Sequence, residues 1–168
     1  MGSNSYFIDL PESVIADALE DWTWLPIAGK KPLRVTCFGD VFFKADDGIW
    51  FLDTLEGAIG LVCPTIKEFE DILGQESGQD QYLMGGLVDR AMSEGHILND
   101  GECYDFVVSP VLGGEASFEN MQRLDFSVAT SISGQIHRQV KDLAEGTEIS
   151  SIVLDGDKSQ AKPWWKIW

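Results

Sequence analysis

The turn Asp46-Asp47-Gly48 places the strongest constraint on how this chain folds. It lies between two short apolar runs, Val41 to Ala45 and Ile49 to Asp53. A turn that ends in Asp-Gly between two such runs is typical of a β-hairpin. A third run of the same kind, Leu33 to Phe38, comes just before them. The sequence therefore predicts three strands in an antiparallel sheet.

Helices are predicted on both sides of these strands in the sequence. The first begins near Pro11, ends before Trp24, and has helical spacing of its apolar residues, which are Val14, Ile15, Ala18, Leu19 and Trp22. After the strands, Thr65 and Glu68 have the spacing of a capping box. They predict a helix over Ile66 to Leu73 with Gly74 as its stop.

A further helix is predicted over Gln79 to Glu94, although the pair Gly85-Gly86 in its middle costs about 1 kcal/mol for each glycine and can break it in two. Later elements are two strands, a helix capped by Ser133, and a last strand. The strands are Tyr104 to Ser109, Leu124 to Thr130 and Ile149 to Leu154, and the helix has Ile132, Ile136, Val140 and Leu143 spaced for burial.

These elements predict an α+β fold, with a largely antiparallel sheet and helices packed on it. Residues 1–154 are predicted to form a single domain, because 168 residues with 44% apolar content suffice for one core. A polar linker and a tryptophan-rich tail follow over residues 155–168, with Trp164, Trp165 and Trp168 near the end. We expect this tail to fold back over part of the core, since three exposed indoles would favour aggregation.

Acidic residues dominate the charge of the chain, with 28 Asp and Glu against 12 Lys and Arg, a net charge of −16. The excess is concentrated in the first 29 residues and between Glu68 and Asp105. Such a surface repels nucleic acid and speeds encounter with a cationic protein. Carboxylates that merely keep the domain soluble would give the same composition.

The sequence contains little that supports catalysis. The three cysteines, Cys37, Cys63 and Cys103, stand in apolar surroundings that predict buried, unreactive thiols. Neither histidine lies in a metal-binding spacing, and no phosphate-binding loop occurs. A dyad of Cys103 and His137, oriented by Asp105 or Asp142, has no support in the spacing. We therefore predict no enzyme, no cofactor and no metal.

The location of the protein is predicted from its apolar runs. The longest, Gly57 to Ile66, is about half a membrane span and is interrupted by Pro64. No basic segment followed by an apolar stretch marks the N-terminus as a signal peptide. The sequence predicts a soluble, cytoplasmic protein that does not contact a membrane.

An ordered series of short motifs runs through the second half of the chain. They are Cys103-Tyr104, Pro110-Val111-Leu112-Gly113-Gly114, Glu119-Asn120, Gly134-Gln135-Ile136 with Gln139, and Gly146-Thr147. With an earlier part from Phe38-Gly39-Asp40 to Glu56-Gly57, this pattern resembles the immunity proteins paired with DNase toxins delivered by type VI secretion. The resemblance covers about two-thirds of the chain. It implies that the protein binds a cognate toxin in the cytoplasm and blocks it, without catalysis or cofactor.

The charge indicates where such a toxin would bind. A nuclease must hold a polyanion and is expected to present a basic cleft, which an acidic surface can find and occupy. The predicted contacts are carboxylates around the hairpin and on the capped helix, together with two glutamines expected to be exposed. They are Asp46, Asp47, Asp53, Glu56, Glu68, Glu70, Asp71, Gln135 and Gln139. The matched glycine, proline and aromatic positions are interpreted as determinants of the fold.

Two other hypotheses stay open at this point. The domain could bind a small ligand or a peptide in a pocket near Tyr104, Gln135 and His137. It could also be a hydrolase that uses Cys103 or its carboxylates, for which rapid labelling of one cysteine at neutral pH would be the sign. The sequence does not identify the toxin, its reaction or the oligomeric state.

Overall fold

A five-stranded antiparallel sheet forms the centre of the protein. The computed structural model describes residues 3–155, and the tryptophan-rich tail with nearly all of the predicted linker lies outside them. Each strand pairs with its neighbour in sequence, so the order across the sheet is that of the chain. The strands are β1 (Phe7–Ile8), β2 (Lys31–Thr36), β3 (Val41–Ala45), β4 (Gly48–Asp53) and β5 (Ala58–Cys63).

The hairpin predicted from Asp46-Asp47-Gly48 is confirmed as β3 and β4, with Val41 opposite Leu52 and Phe43 opposite Trp50. The preceding strand is shifted from the prediction, since β2 ends at Thr36. The reason is a tight turn at Gly39, which has φ of 81° and donates its N–H to the Thr36 carbonyl oxygen at 2.9 Å.

Successive side chains along each strand point to opposite faces of the sheet, and this divides the core into two layers. Phe42 and Phe51 pack on one face against the helices α2 (Ile66–Leu73), α3 (Glu76–Leu83) and α4 (Gly85–Ser93). Val41, Phe43 and Leu52 pack on the other face against α1 (Glu12–Leu19) and α5 (Phe126–Val140). The predicted α+β class is confirmed, with helices on both faces of the central sheet.

Two of the predicted helices agree closely with the structure. In α1 the predicted apolar face is buried at Ile15, Ala18 and Leu19, and Trp22 follows in a 3-10 turn with no exposed surface. The capping box before α2 is confirmed on its threonine side, because the Thr65 hydroxyl accepts the N–H of Glu68 at 3.2 Å.

The helix predicted over Gln79 to Glu94 is two helices, α3 and α4. The break lies at Met84, whose φ of 50° is left-handed, and Gly85 and Gly86 open the second helix. A left-handed backbone is unfavourable for a residue with a Cβ atom. The break predicted at Gly85-Gly86 thus lies within one or two residues of the observed break at Met84.

A small second sheet joins β6 (Glu102–Phe106) and β7 (Met121–Asp125). β6 ends at Phe106, before the predicted Ser109. The strand predicted over Leu124 to Thr130 is wrong beyond Asp125, because the Asp125 carboxylate accepts the Val128 N–H at 3.1 Å and begins α5 at Phe126. Ser133 does not cap this helix but lies inside it, where its hydroxyl donates to the Thr54 carbonyl oxygen at 2.8 Å.

The strand predicted over Ile149 to Leu154 is also wrong, since this segment has no regular structure. Side chains of α5 bind its backbone in place of a neighbouring strand. The Gln139 amide bridges the N–H and C=O of Val153 at 3.1 and 2.7 Å, and Gln135 accepts the Asp155 N–H at 2.8 Å. Leu143, expected to be buried, is 47% exposed. Between residues 3 and 155 the structure contains no helix with the length and hydropathy needed to cross a membrane.

Candidate partner-binding surface

Five of the predicted contact residues lie at one end of the sheet. The β3–β4 turn abuts the junction of β5 and α2, because a Cβ atom added at Gly48 would lie 2.9 Å from the Cα atom of Pro64. Thr65 then caps α2, whose outward face carries three carboxylates. We call this group the α2-end acidic surface. Its members, all exposed, are Asp46, Asp47, Glu68, Glu70 and Asp71.

Most carboxylates of this surface have weak or no partners within the chain. Asp71 pairs with Lys67 at 3.2 Å, but both side chains are exposed, and such a pair contributes at most about 0.5 kcal/mol. The Trp50 indole N–H donates to the Asp47 carboxylate at 2.8 Å. Among the described residues, no side-chain hydrogen bond or ion pair engages the carboxylates of Asp46, Glu68 or Glu70. These three are free to pair with a cationic partner.

The sequence analysis placed Asp53 and Glu56 around the hairpin, but in the structure they do not lie near its turn. They stand at the opposite end of β4, which at a rise of about 3.4 Å per residue is about 17 Å away. The Asp53 carboxylate accepts the N–H groups of Leu55 and Glu56, each at 2.9 Å, and so fixes the β4–β5 turn. Glu56 is exposed beside it.

The expected exposure of Gln135 is wrong, since this residue is 4% exposed. Its amide donates to the Ser131 hydroxyl at 3.3 Å and accepts the Asp155 N–H, which ties the segment after α5 to the helix. Gln139 is exposed, but its amide is occupied by Val153. The sequence predicted that only one apolar side of α5 is buried. In the structure the segment after the helix also covers the side that carries Gln135.

The motif residues of the second half make contacts inside the chain. The Asn120 amide binds Val108 at its N–H and C=O groups, at 3.0 and 2.8 Å, and also the Glu115 carbonyl oxygen at 2.8 Å. Gly113, with φ of 95°, and Gly114, packed on the Val108 carbonyl group, shape the same loop. These contacts support their interpretation as determinants of the fold.

The sequence did not indicate that two carboxyl groups, the buried Asp40 and the half-buried Asp105, have raised pKa values. Asp40 is 5% exposed and accepts three bonds, from the Thr54 N–H at 2.8 Å, the Thr54 hydroxyl at 2.7 Å and the Thr36 hydroxyl at 3.3 Å. Burial, together with the nearby charge of Asp53, raises the pKa of Asp40 to about 7. Burial likewise raises the pKa of Asp105 to about 6. Nothing in the local sequence distinguishes these two from the other carboxylates.

Asp40 and Asp105 line one small cavity together with aromatic side chains that include Tyr104. Its volume is about 30 Å³, enough for about one water molecule. Gln135 lines a different cavity of about 20 Å³. The pocket suggested near Tyr104, Gln135 and His137 is therefore not formed by either of these two cavities, and neither has room for a ligand.

His137 is held by the fold. Its Nε2 atom lies 2.9 Å from the Thr54 carbonyl oxygen, and its ring packs against Trp22 with centroids 5.7 Å apart. Burial lowers its pKa. A catalytic dyad with Cys103 gains no support, because burial holds the pKa of that thiol well above its usual value.

The other two thiols and the potential metal-binding side chains likewise give no support for a catalytic site among the described residues. All three cysteines are buried and unpaired with one another, and burial raises the pKa of Cys37 to about 12. Such thiols stay protonated at neutral pH and react slowly. Within residues 3–155 no group of three or more His, Cys, Asp or Glu side chains is arranged to hold a metal ion.

Part of this chain is similar to a known protein family, and its fold is similar to that of a solved structure. Residues 64–137 match the family model described as T6SS immunity protein Tdi1, C-terminal, a segment that runs from the start of α2 into α5. The crystal structure of Atu4351 from Agrobacterium tumefaciens is similar over 79% of this chain and 67% of that chain, with a TM-score of 0.50 and 17% identity. This likeness shows a shared fold alone. No curated protein matched the chain. Over residues 64–137 the chain is thus similar to the T6SS immunity family.

Proposed function

We propose that this protein is an immunity protein that binds a cognate secreted toxin, a nuclease, and blocks it by covering its active cleft. The observation that carries this proposal is the match of residues 64–137 to the T6SS immunity family. The binding requires no catalytic step and no cofactor. The protein would act in the cytoplasm of the cell that produces the toxin.

The charge of the chain supports a basic partner. The net charge is −16, and the α2-end acidic surface concentrates five exposed carboxylates on one helix and the adjoining turn. An active cleft that holds the phosphates of a nucleic acid needs Lys and Arg side chains. Complementary fields of this kind raise the association rate, and salt weakens the effect. We propose the α2-end acidic surface as the main contact with the toxin.

The test is a kinetic binding measurement with the purified, catalytically inactivated toxin encoded beside this protein. One variant combines Asp46→Asn, Asp47→Asn, Glu68→Gln and Glu70→Gln. A matched control combines Glu12→Gln, Asp17→Asn, Glu145→Gln and Glu148→Gln, which remove the same four charges from exposed positions elsewhere. We expect the first variant to associate about tenfold more slowly or worse, and the control to change by about twofold or less.

The outcomes distinguish the proposed function from the proposed position of the toxin contact. If the wild-type protein forms no complex with active or inactivated toxin, the proposed function is wrong. If it forms a complex that both variants join at the wild-type rate, the role stands and the α2-end acidic surface is not the contact. Rescue of growth in cells that express the toxin provides a second measure of neutralisation.

A further inference from the structure

The two edges of the central sheet differ in length. β1 forms one edge with two residues, whereas β5 forms the other with six and, within residues 3–155, pairs with β4 alone. An edge strand presents N–H and C=O groups to any further strand that reaches it. β5 is therefore the longer free edge of the described sheet.

β5 lacks the charges and prolines that usually protect an edge strand. Its sequence is Ala58-Ile59-Gly60-Leu61-Val62-Cys63. The extra residue of its β-bulge is Val62, so the pairing with β4 is regular from Ala58 to Leu61. A Cβ atom added at Gly60 would meet no atom within 4 Å. Because a Cβ atom points out of the plane of a sheet, this open space lies over the face of the sheet at the middle of the strand.

An apolar strip accompanies this edge. Leu61 is 52% exposed, stands opposite Trp50 and shares its face of the sheet with Ile59, two residues earlier. Trp50 and Ile59 are both partly buried. A strand added beside β5 could cover Leu61 with its own alternate side chains while its backbone pairs with the edge.

The charges near both ends of β5 indicate what kind of strand fits. Glu56 is exposed in the turn before β5, and Glu68 is exposed in the first turn of α2 just after it. Two copies of a chain with a net charge of −16 that joined along β5 would bring like charges together, which costs free energy. A cationic segment would instead be attracted at both ends.

We infer that β5 is a strand-addition site for an extended segment of the toxin that carries Lys or Arg side chains. In this mode of recognition the backbone hydrogen bonds give affinity, and the alternating side chains give specificity. The inference rests on the proposed function, because the occupant is a part of the toxin. It adds a second contact, along the sheet edge that leads to the α2-end acidic surface.

The test combines hydrogen exchange with one matched pair of variants. With excess inactivated toxin, those amides of Ala58 to Cys63 that do not donate to β4 should exchange at least about tenfold more slowly. Leu61→Lys should weaken toxin binding about tenfold, since an edge lysine opposes both a further strand and a cationic segment. Ile97→Lys makes the same charge change at a residue that is 54% exposed in a loop, and it should weaken binding by about twofold or less.

Each result has a separate meaning. Binding without protection of Ala58 to Cys63, or equal binding by the two lysine variants, would overturn the inference and leave the proposed function in place. No binding by the wild-type protein would overturn both. A dimer of the protein alone that Leu61→Lys converts to a monomer, measured by light scattering, would show a second copy on this edge and would overturn the cationic segment.

Discussion

At the scale of single residues, Gly134 explains how α5 packs against the start of the chain. A Cβ atom at this position would lie 2.7 Å from the Asp21 carbonyl oxygen and 3.0 Å from the Trp22 indole nitrogen. That nitrogen donates to the Thr130 carbonyl oxygen at 2.9 Å, so it has little room to move. The absence of a side chain at Gly134 allows α5 to approach Trp22 closely.

Gly134→Ala should therefore destabilise the protein, by about 1–3 kcal/mol, because overpacking against backbone outweighs the higher helix propensity of alanine. The matched control is Gly86→Ala in α4, where the nearest atom to an added Cβ is an Asp80 carboxylate oxygen at 4.0 Å. There the same change should stabilise the protein by about 0.5–1 kcal/mol. Denaturant unfolding of both variants measures the change in the free energy of unfolding, which should have opposite signs in the two. Equal effects at both positions would contradict the packing argument.

At the scale of elements, the cap of α2 could be predicted from the sequence because it depends on residues three apart. Thr65 and Glu68 lie within one turn, and the Thr65 hydroxyl needs no distant partner to bind the Glu68 N–H. We expect Thr65→Ala to cost about 0.5–2 kcal/mol of stability and Thr65→Ser to cost less, since serine keeps the acceptor. Thermal and denaturant unfolding give both values. A cost for serine equal to that for alanine would assign the effect to the lost methyl group.

The start of α5 could not be predicted in the same way, because two local signals compete there. Leu124 to Thr130 is rich in residues that favour strands, which predicted a strand through Thr130, while Asp125 favours a helix start. The structure resolves the competition through packing, since Phe126 and Ala129 are buried beside α1 and the face of the sheet that it covers. Burial of this kind is a property of the tertiary structure and leaves no signal in a short window of sequence.

At the scale of the whole molecule, the sequence predicted the sheet and its acidic character but not which acids lie together. The hairpin is local, so its pairing could be predicted from its turn. The separation of Asp53 from Asp47 by the length of β4 follows from strand geometry only after the strand direction is known. The hydrogen bonds that satisfy the buried Asp40 come from Thr36, at the end of β2, and from Thr54, just after β4. Residue type and spacing do not contain that information.

The pH dependence of stability should reflect the two carboxyl groups whose pKa values the fold raises, Asp40 and Asp105. In the folded protein Asp40 keeps its proton up to about pH 7 and Asp105 keeps its proton up to about pH 6. In an unfolded chain both groups release their protons near the ordinary Asp pKa of 3.8. The folded state therefore binds more protons between these values, and stability falls as the pH rises through them. The net charge of −16 acts in the same direction, because self-repulsion grows as carboxylates ionise.

We expect the melting temperature to decrease from about pH 5 to about pH 8, and the decrease to be smaller in Asp40→Asn, which cannot ionise. The control Asp17→Asn removes an equal charge from an exposed site in α1 and should keep the wild-type slope. Scanning calorimetry of the three proteins at constant ionic strength measures this. If Asp40→Asn and Asp17→Asn have the same slope as the wild type, the dependence comes from Asp105 or from surface charge and not from Asp40. Raised salt separates the two contributions further, since it screens the surface and leaves a buried group largely unaffected.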